Sequence, residues 1–230
     1  HPCEGSAVAG MEFGKETKLA MKPIKQKKRR YYTLVFIIVI ALVGGMFGWV
    51  KYNQYKRDKG FNDAMALMQE GLDKGDYASL SAAEKAIAKE AAHNNPRVEA
   101  VAHTVLLRAL LWKMFTGEAV LLSECRKFVG FLKEPLVDDT GKEFESPYKD
   151  EPMTAVADAV VKVINPVEDG DLEAARGVLN AMDASMLPPG EKEYWLAMSH
   201  WSAGEWVPAE AMMKRAVGAA DNPHHRFGLA

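Results

Sequence analysis

An uncharged, mostly apolar run of twenty residues, Tyr31 to Val50, limits what this chain can fold into more than any other feature. As a helix the run would be about 30 Å long, which matches the hydrocarbon core of a bilayer. Because the run is apolar on every side, such a helix must be surrounded by protein or by lipid. Signal peptides have shorter apolar regions that end in small residues, whereas this run ends in Trp49 and Val50. The sequence therefore predicts a permanent transmembrane anchor.

The residues that flank the run predict its orientation. Aromatic side chains of the kind that favour the headgroup layer lie at its two rims: Tyr31, Tyr32, Trp49 and Tyr52. Seven Lys and Arg lie in the fifteen residues before the run, and four lie in the fifteen after it. Because the more basic flank stays in the cytoplasm, we expect a single-pass protein of the inner membrane with a cytoplasmic N-terminus and a periplasmic C-terminal domain. The inverted topology is the alternative.

The net charge of the chain is positive up to the end of this run and negative after it. Residues 1–50 contain eight Lys and Arg against three Asp and Glu, and the rest of the chain contains 21 against 28. No aromatic residues alternate with the charges of the basic cluster 22–30, so we interpret it as a contact with anionic headgroups instead of nucleic acid or a specific lipid. Nucleic-acid binding by the large domain is not expected, since it depends on cationic contacts to phosphate.

These features divide the chain into four segments. They are a basic cytoplasmic tail that is partly disordered (1–30), the transmembrane helix (31–50), a juxtamembrane linker helix (51–60) and one exported domain (61–230). The first twenty residues lack periodicity, and Met11 or Met21 could begin a natural chain. Cys3 and Cys125 should lie on opposite sides of the membrane and should not pair. Cys125 lies in an apolar helical stretch, so we interpret it as a core residue.

Beyond Lys56 the apolar residues recur with helical period, and no alternating pattern or hairpin turn predicts a strand. The predicted fold class is all-α. Residues 74–96, 169–188 and 203–223 each place Gly, an acidic residue and a large residue before an alanine-rich helix that stops near Pro. Residues 98–135 have the same order of helix, Gly turn, helix and Pro. Four helical hairpins are therefore expected to stack on one another, since none can bury its apolar face alone.

The last of these hairpins resembles the tetratricopeptide repeat. The residues at pattern positions are Leu196, Ala197, His200, Ala209, Met213 and Pro223 in the last hairpin, and Ala175, Leu179 and Pro188 in the third. The sequence departs from the repeat pattern at the tryptophan position, because Trp195 lies two residues after it. Small residues such as these alanines let helices approach closely. The resemblance implies a tetratricopeptide-like array of antiparallel hairpins over residues 61–223.

The whole layout resembles the YfgM-like family of bacterial inner-membrane proteins. The stretches GWVKYNQYK (48–56) and AAEKAIAKEAAHNNP (82–96) carry this likeness. Members of that family are associated with the Sec translocon and with periplasmic chaperones, so the resemblance implies a membrane-anchored scaffold or co-chaperone that binds partner proteins. The alternative is a structural accessory subunit of a larger inner-membrane complex, in which the span packs on other helices through Gly44, Gly45 and Gly48.

The sequence contains no motif of a common catalytic or cofactor chemistry. A phosphate-binding loop, a dinucleotide fingerprint, a zinc-protease motif, a nucleophile elbow and a paired C-x-x-C are all absent. His224 and His225 could ligate a metal, but adjacent histidines on a helix point apart and no second ligand pair has suitable spacing. We therefore expect no enzyme, no cofactor, no metal site and no small-molecule substrate.

Protein binding is the function that the pattern favours. In helical repeats the first helix of each hairpin lines a concave face. The candidate peptide-binding residues on these helices are His103, Arg108, Trp112, Tyr194, Trp195, Met198 and Trp201. Aromatic residues at helical spacing are more often core residues, so over half of the seven should be buried. The acidic, proline-rich segment 134–152 is a second candidate, as a partner-binding loop or as a solvated linker.

Overall fold

In a computed structural model of the chain, residues 22–92, 97–116, 119–137 and 140–228 are described. These residues are mostly helical, which confirms the all-α class in outline. Contacts between residues divide the chain into two units, 1–55 and 56–230.

Helix α1, Lys22–Lys74, contains the apolar run. Its part from Tyr31 onward is long and apolar enough to cross a membrane, with a mean hydropathy of 2.5 over its most apolar window, none of which is buried. The four rim residues, Tyr31, Tyr32, Trp49 and Tyr52, are all exposed. The predicted linker, 51–60, is helical as expected but belongs to the same helix. Of the predicted tail, residues 1–21 lie outside the described residues, and residues 22–30 are helical.

The second unit contains the end of α1 and a series of shorter helices. They are α2 (Tyr77–Ala91), α3 (Val98–Leu111), α4 (Ala119–Lys133), α5 (Pro152–Ile164), α6 (Pro166–Asp169), α7 (Leu172–Ala181), α8 (Glu191–Ser202), α9 (Trp206–Ala219) and α10 (Pro223–Phe227). A π-helical turn, Trp112–Thr116, follows α3, and a 3-10 turn, Ala184–Met186, precedes α8. Helix α5 ends at Ile164, because Pro166 prevents a longer helix there.

The helices pack mainly on their neighbours in the chain. Helix α3 packs against α2, α4 and α5, and α5 packs against α4, α7 and α8. Helix α8 also packs against α7 and α9, and α10 packs against α9. Most of these helices therefore contact the next one in the chain, and α3 and α5 each also contact the second helix after them. The tetratricopeptide arrangement itself stays a prediction.

The recurring Gly and acidic residues have a local structural cause. Gly75, Gly170 and Gly204 have φ angles of 63°, 99° and 76°, a backbone region that residues with a side chain rarely adopt. The next residue caps the following helix in two of these turns. The Asp76 carboxylate accepts a hydrogen bond from the Ser79 amide, and the Asp171 carboxylate accepts from two amides of α7. Such caps satisfy amides that have no partner within the helix.

The segment 134–152 contains an element that the sequence did not predict. Strands β1 (Leu136–Val137) and β2 (Glu143–Phe144) pair antiparallel, with Leu136 opposite Phe144. Two residues are too few for an alternating pattern to be visible, so the hairpin escaped prediction. The Ser146 hydroxyl donates to the Leu132 carbonyl over 2.6 Å, which fixes the end of this segment to α4.

The core of the second unit is centred on α3, which is buried on nearly all sides, and other helices pack apolar residues against it. Its largest fully buried side chains include Met68, Leu72, Leu80, Ile87, Leu106, Leu107, Leu110, Leu132, Leu179, Trp195 and Met213. Ala209 and Ala216, two small residues of α9, are also buried. Cys125 lies in this core as predicted, and burial raises the pKa of its thiol to about 12.

Candidate functional site: a buried Glu-His-His cluster beside an apolar cavity

Three ionisable side chains meet inside the domain where α8 and α10 approach each other. Glu191 is the first residue of α8, and His224 and His225 belong to α10. All three side chains are buried almost completely. The Glu191 Oε1 atom lies 2.5 Å from His224 Nε2 and 3.1 Å from His225 Nε2. One carboxylate oxygen therefore serves two imidazole nitrogens.

A backbone contact orients the His225 ring. Its Nδ1 lies 2.8 Å from the carbonyl oxygen of Ala220, which can only accept a hydrogen bond. Nδ1 therefore carries the hydrogen and donates it. In a neutral ring the other nitrogen, Nε2, then has a lone pair and cannot donate to Glu191. The Glu191 contact of His225 is thus favourable when the ring is protonated, or when a cation lies between the two atoms.

The charged forms of Glu191 and His225 stabilise each other in the interior of the domain. Burial by itself would raise the pKa of Glu191, but the charge and hydrogen bonds of His224 and His225 lower it to about 2. Burial also disfavours the charged form of His225, but the hydrogen bond and charge of Glu191 raise the pKa of that imidazole above its usual value. Without a metal, these shifts favour a carboxylate at Glu191 paired with a protonated His225.

Two glycines allow α10 to pack this closely. Gly190, just before α8, has a φ of 84°, and a Cβ atom there would lie 2.6 Å from His225 Cε1 and 2.7 Å from the Ala216 carbonyl oxygen. A Cβ atom at Gly75 would lie 2.5 Å from Pro223 Cβ. Helix α10 therefore packs against both the start of α8 and the turn between α1 and α2, and any side chain at either glycine would displace it.

A cavity of about 270 Å³ lies next to the cluster. Its lining includes Met114, Tyr194, Met198, Trp201, His224 and Phe227, so it is mainly apolar and aromatic. The Tyr194 ring packs edge-on against the His224 ring at a centroid distance of 5.0 Å. The Nδ1 atom of His224 is buried and has no hydrogen-bond partner among the described residues. His224 therefore belongs to both the cluster and the cavity.

Lys113 also lines this cavity and gives it a positive charge. Its side chain is exposed, yet partial desolvation lowers the pKa of its amine. No ion-pair partner of Lys113 is found among the described residues. The cavity thus combines apolar walls with one cation that is open to an incoming anion.

Three of the seven sequence-predicted binding residues meet at this cavity. Tyr194 and Met198 are buried and form part of its wall, whereas the Trp201 side chain is 44% exposed. The Trp201 ring also packs edge-on against Trp206 across the α8–α9 turn, at a centroid distance of 5.3 Å. Trp201 is therefore the one residue of the three that a partner could contact directly.

Two other predicted residues are core residues instead. His103 is buried, and its Nδ1 donates to the Glu99 carbonyl oxygen over 2.7 Å. Burial lowers the pKa of His103 and so favours the neutral ring. Trp195 is fully buried. Neither side chain is available to a peptide, because the hydrophobic pattern that suggested a binding face is also the pattern of a helix face packed in a core.

Arg108 and Trp112 are also placed differently from the prediction. Arg108 Nε donates to Glu84 over 2.7 Å, and its Nη1 atom lies 3.1 Å from a Glu124 carboxylate oxygen. The Arg108 guanidinium also lies over the Phe128 ring. Arg108 therefore ties α3 to α2 and α4 and has no free charge for a partner. Trp112 is half-buried in the π-helical turn and is not part of the cavity lining.

The expectation that His224 and His225 point apart is wrong. Their rings lie 4.2 Å apart at their centroids, and both turn an Nε2 atom towards Glu191. Helix α10 is only five residues long, so helical spacing does not govern its side chains strongly. Glu191 precedes the pair by 33 residues, and no local sequence pattern connects positions so far apart.

A second histidine–glutamate pair lies at the α8–α9 turn. His200 Nδ1 is 2.6 Å from Glu205 Oε2, and the Arg176 guanidinium lies 3.2 Å from the same oxygen. The hydrogen bond from His200 and the nearby Arg176 charge lower the pKa of Glu205. This pair is partly exposed and includes one histidine only, so it connects α7, α8 and α9 without forming a buried cluster.

Comparison with known protein families, with curated proteins and with solved structures finds no match to this chain. Function is therefore inferred from the residues of the site.

Proposed function

We propose that this chain is a membrane-anchored protein-binding module. The apolar part of α1 acts as a single-pass anchor in the inner membrane, with the N-terminus in the cytoplasm. The domain formed by residues 56–230 is a tetratricopeptide-like stack of hairpins on the periplasmic side. It binds partner proteins as a scaffold or co-chaperone of the envelope.

The packing order of the helices supports the hairpin stack. In such arrays each hairpin contacts only its neighbours. Helices α3, α5 and α8 each pack against the helix before and the helix after, and α3–α5 and α5–α8 are also in contact. This order is the one expected when the first helices of successive hairpins line up side by side.

The observation that carries the binding proposal is the cavity of about 270 Å³ with Lys113 in its lining. Its methionine and aromatic walls suit an apolar side chain, and methionines adapt to different shapes. A carboxylate next to that side chain would pair with the Lys113 amine and offset its desolvation. The proposed partner segment therefore has a large apolar residue next to an acidic residue or a C-terminal carboxylate.

An anchor makes even a weak contact of this kind effective. A partner confined to the same membrane meets the domain at a high effective concentration, so two weak interactions combine into a stable association. A single apolar pocket with one ion pair would otherwise give modest affinity.

The test is recovery of partner proteins with the full chain, extracted from its native membrane in mild detergent. Lys113→Glu reverses the charge of the cavity, and Phe227→Ala removes an aromatic lining residue that is 75% exposed. We expect each variant to lower the recovery of the same partners several-fold. Lys85→Glu and Phe131→Ala change exposed residues outside both the cavity and the segment 134–152, so they serve as matched controls and should leave recovery unchanged.

Full recovery with both cavity variants, in folded protein, would contradict the proposed binding site. If recovery then fell on replacing Gly44 or Gly48 by Leu, the span would be the interface and the chain would be a structural subunit. In the part of the chain that the structure describes, nothing outside the helix's own backbone lies within 4 Å of a Cβ placed at either glycine. Release of the chain from membranes by alkaline carbonate would contradict the anchor itself.

A further inference from the structure

We propose that Glu191, His224 and His225 form a zinc-binding site that fastens α10 to the start of α8. Each residue offers one ligand atom, and these three atoms all lie within 4.8 Å of one another. The zinc proposal does not rest on the protein-binding function proposed for the neighbouring cavity, although His224 borders both sites.

The convergence of the ligand atoms is the main observation. Adjacent residues of a helix normally direct their side chains about 100° apart, at 3.6 residues per turn. Here both neighbouring imidazoles turn Nε2 towards Glu191 Oε1, at 2.5 Å and 3.1 Å. Two nitrogens and one carboxylate oxygen around a common point are the ligand set of a three-ligand zinc site, with a fourth position for water.

The distances fit zinc after a small movement. Ligand atoms that lie about 2.0–2.1 Å from a tetrahedral zinc ion are roughly 3.3 Å from one another. The 3.1 Å between Glu191 and His225 already fits this spacing. The 2.5 Å between Glu191 and His224 has to open by about 0.8 Å, which a rotation of the carboxylate can provide.

The hydrogen bond of His225 to the backbone is a second, independent observation. Metal-ligating histidines commonly donate their other ring hydrogen to a carbonyl, which orients the ring and leaves the ligating nitrogen unprotonated. The Nδ1 contact of His225 with the Ala220 carbonyl at 2.8 Å has this arrangement. The Nε2 lone pair of a neutral His225 then points towards the Glu191 oxygen, and a cation between them turns this repulsion into two bonds.

The donor set and the burial favour zinc over other common cations. Calcium takes six to eight oxygen ligands and magnesium keeps several waters, whereas this buried cluster supplies two nitrogens and one carboxylate. The competing arrangement is a buried carboxylate–imidazolium pair. That pair has to bring two charges out of water. The buried His224 Nδ1 has no hydrogen-bond partner among the described residues in either arrangement, so it does not distinguish them.

The test uses the full chain without an affinity tag, in mild detergent, after removal of metals with EDTA. We expect it to bind one zinc ion per chain, measured by metal analysis and by competition with a chromophoric chelator. Cobalt in place of zinc should produce the intense visible absorption of a four-coordinate site. Zinc should also raise the melting temperature, because it binds only the folded cluster.

Glu191→Gln, His224→Gln and His225→Gln should each weaken zinc binding at least about tenfold. His200→Gln removes the histidine of the other histidine–glutamate pair and should bind zinc like the wild type. Equal zinc affinity in the wild type and in the three cluster variants would overturn the proposal. If the variants do not fold, X-ray absorption of the zinc-loaded wild type decides. Two imidazoles around zinc support the site, and a spectrum without imidazole refutes it.

Discussion

Replacing Arg108 and Glu84 tests whether Arg108 holds helices together, as its contacts indicate. Arg108 Nε donates to Glu84 Oε1 over 2.7 Å, and both side chains are only 12% exposed. The contact between Arg108 and Glu124 is longer, at 3.1 Å, and the Glu124 side chain is 41% exposed. The three residues belong to α3, α2 and α4, so one guanidinium connects three helices.

These contacts predict an asymmetric effect of the two single changes. Removing one partner of a buried ion pair costs about 3–5 kcal/mol, because the other charge stays buried without compensation. Arg108→Met leaves the Glu84 carboxylate in that position, and we expect a loss of about 3 kcal/mol, at the low end because some solvent contact remains. Glu84→Gln keeps a hydrogen-bond acceptor and leaves Arg108 paired with Glu124, so about 1 kcal/mol is expected.

The double variant should lose less than the sum of the two single losses. With both charges removed, no uncompensated charge is left in the interior. We expect a coupling energy of about 1–3 kcal/mol between Arg108 and Glu84. Against a typical domain stability of about 5–15 kcal/mol, a loss of this size is easily measured.

The assay is urea unfolding of the full chain in mild detergent, followed by circular dichroism. The detergent keeps the apolar helix folded, so the transition reports the helices of residues 56–230. An unchanged slope with urea concentration, with a shifted midpoint, shows a change in stability alone. Lys214→Met is the matched control, because Lys214 pairs with Glu210 on the exposed face of α9 and its removal should leave the midpoint unchanged.

An Arg108→Met variant that unfolds at the wild-type urea concentration would refute this reasoning. The guanidinium would then not be needed for the packing of α2, α3 and α4, and the original prediction of Arg108 as a partner-binding residue would regain support. Additive losses in the double variant would show that the two side chains do not interact in solution.

Two further results are expected from the same unfolding assay. Ala216→Trp should lower the free energy of unfolding by about 1–3 kcal/mol, because the larger side chain overpacks a buried site. Ala211→Trp, on the exposed face of α9, is the control and should leave it unchanged. Equal urea midpoints for the two variants would mean that α9 packs in another register. Cys125 has a folded-state pKa of about 12 against an ordinary value of 9.0, so the unfolded chain loses the thiol proton first. Wild-type stability should therefore fall relative to Cys125→Ala between about pH 9 and 12, by up to about 1.4 kcal/mol per pH unit, and parallel pH curves would contradict a buried thiol.

Local features of this chain were accessible from its sequence. The apolar helix over residues 31–50 follows from twenty neighbouring residues whose composition alone decides the outcome. The turns at Gly75 and Gly170 follow from a glycine with positive φ and an aspartate that caps the next helix. The end of α5 at Ile164 likewise follows from a nearby residue, because Pro166 cannot continue the helix. Each of these decisions involves residues that are adjacent in the chain.

The candidate site could be predicted from the sequence only in part. Periodicity places Tyr194, Met198 and Trp201 on one side of α8, because residues three or four places apart share a helix face. It does not say whether that face meets a cavity, the core or solvent. For this reason, one set of predicted binding residues contains Trp201, which is exposed, and Trp195, which is fully buried.

Only the tertiary structure brings Glu191 to His224 and His225, and Arg108 to Glu84. These partners are 33, 34 and 24 residues apart, and they meet because helices pack against one another. The composition and the helical period of the apolar residues predict which residues are buried. The pairing of buried polar groups, however, depends on where each helix lies relative to the others. The close approach of α10 to Gly190 and Gly75 sets that position for the histidines, and with it the chemistry that the cluster can perform.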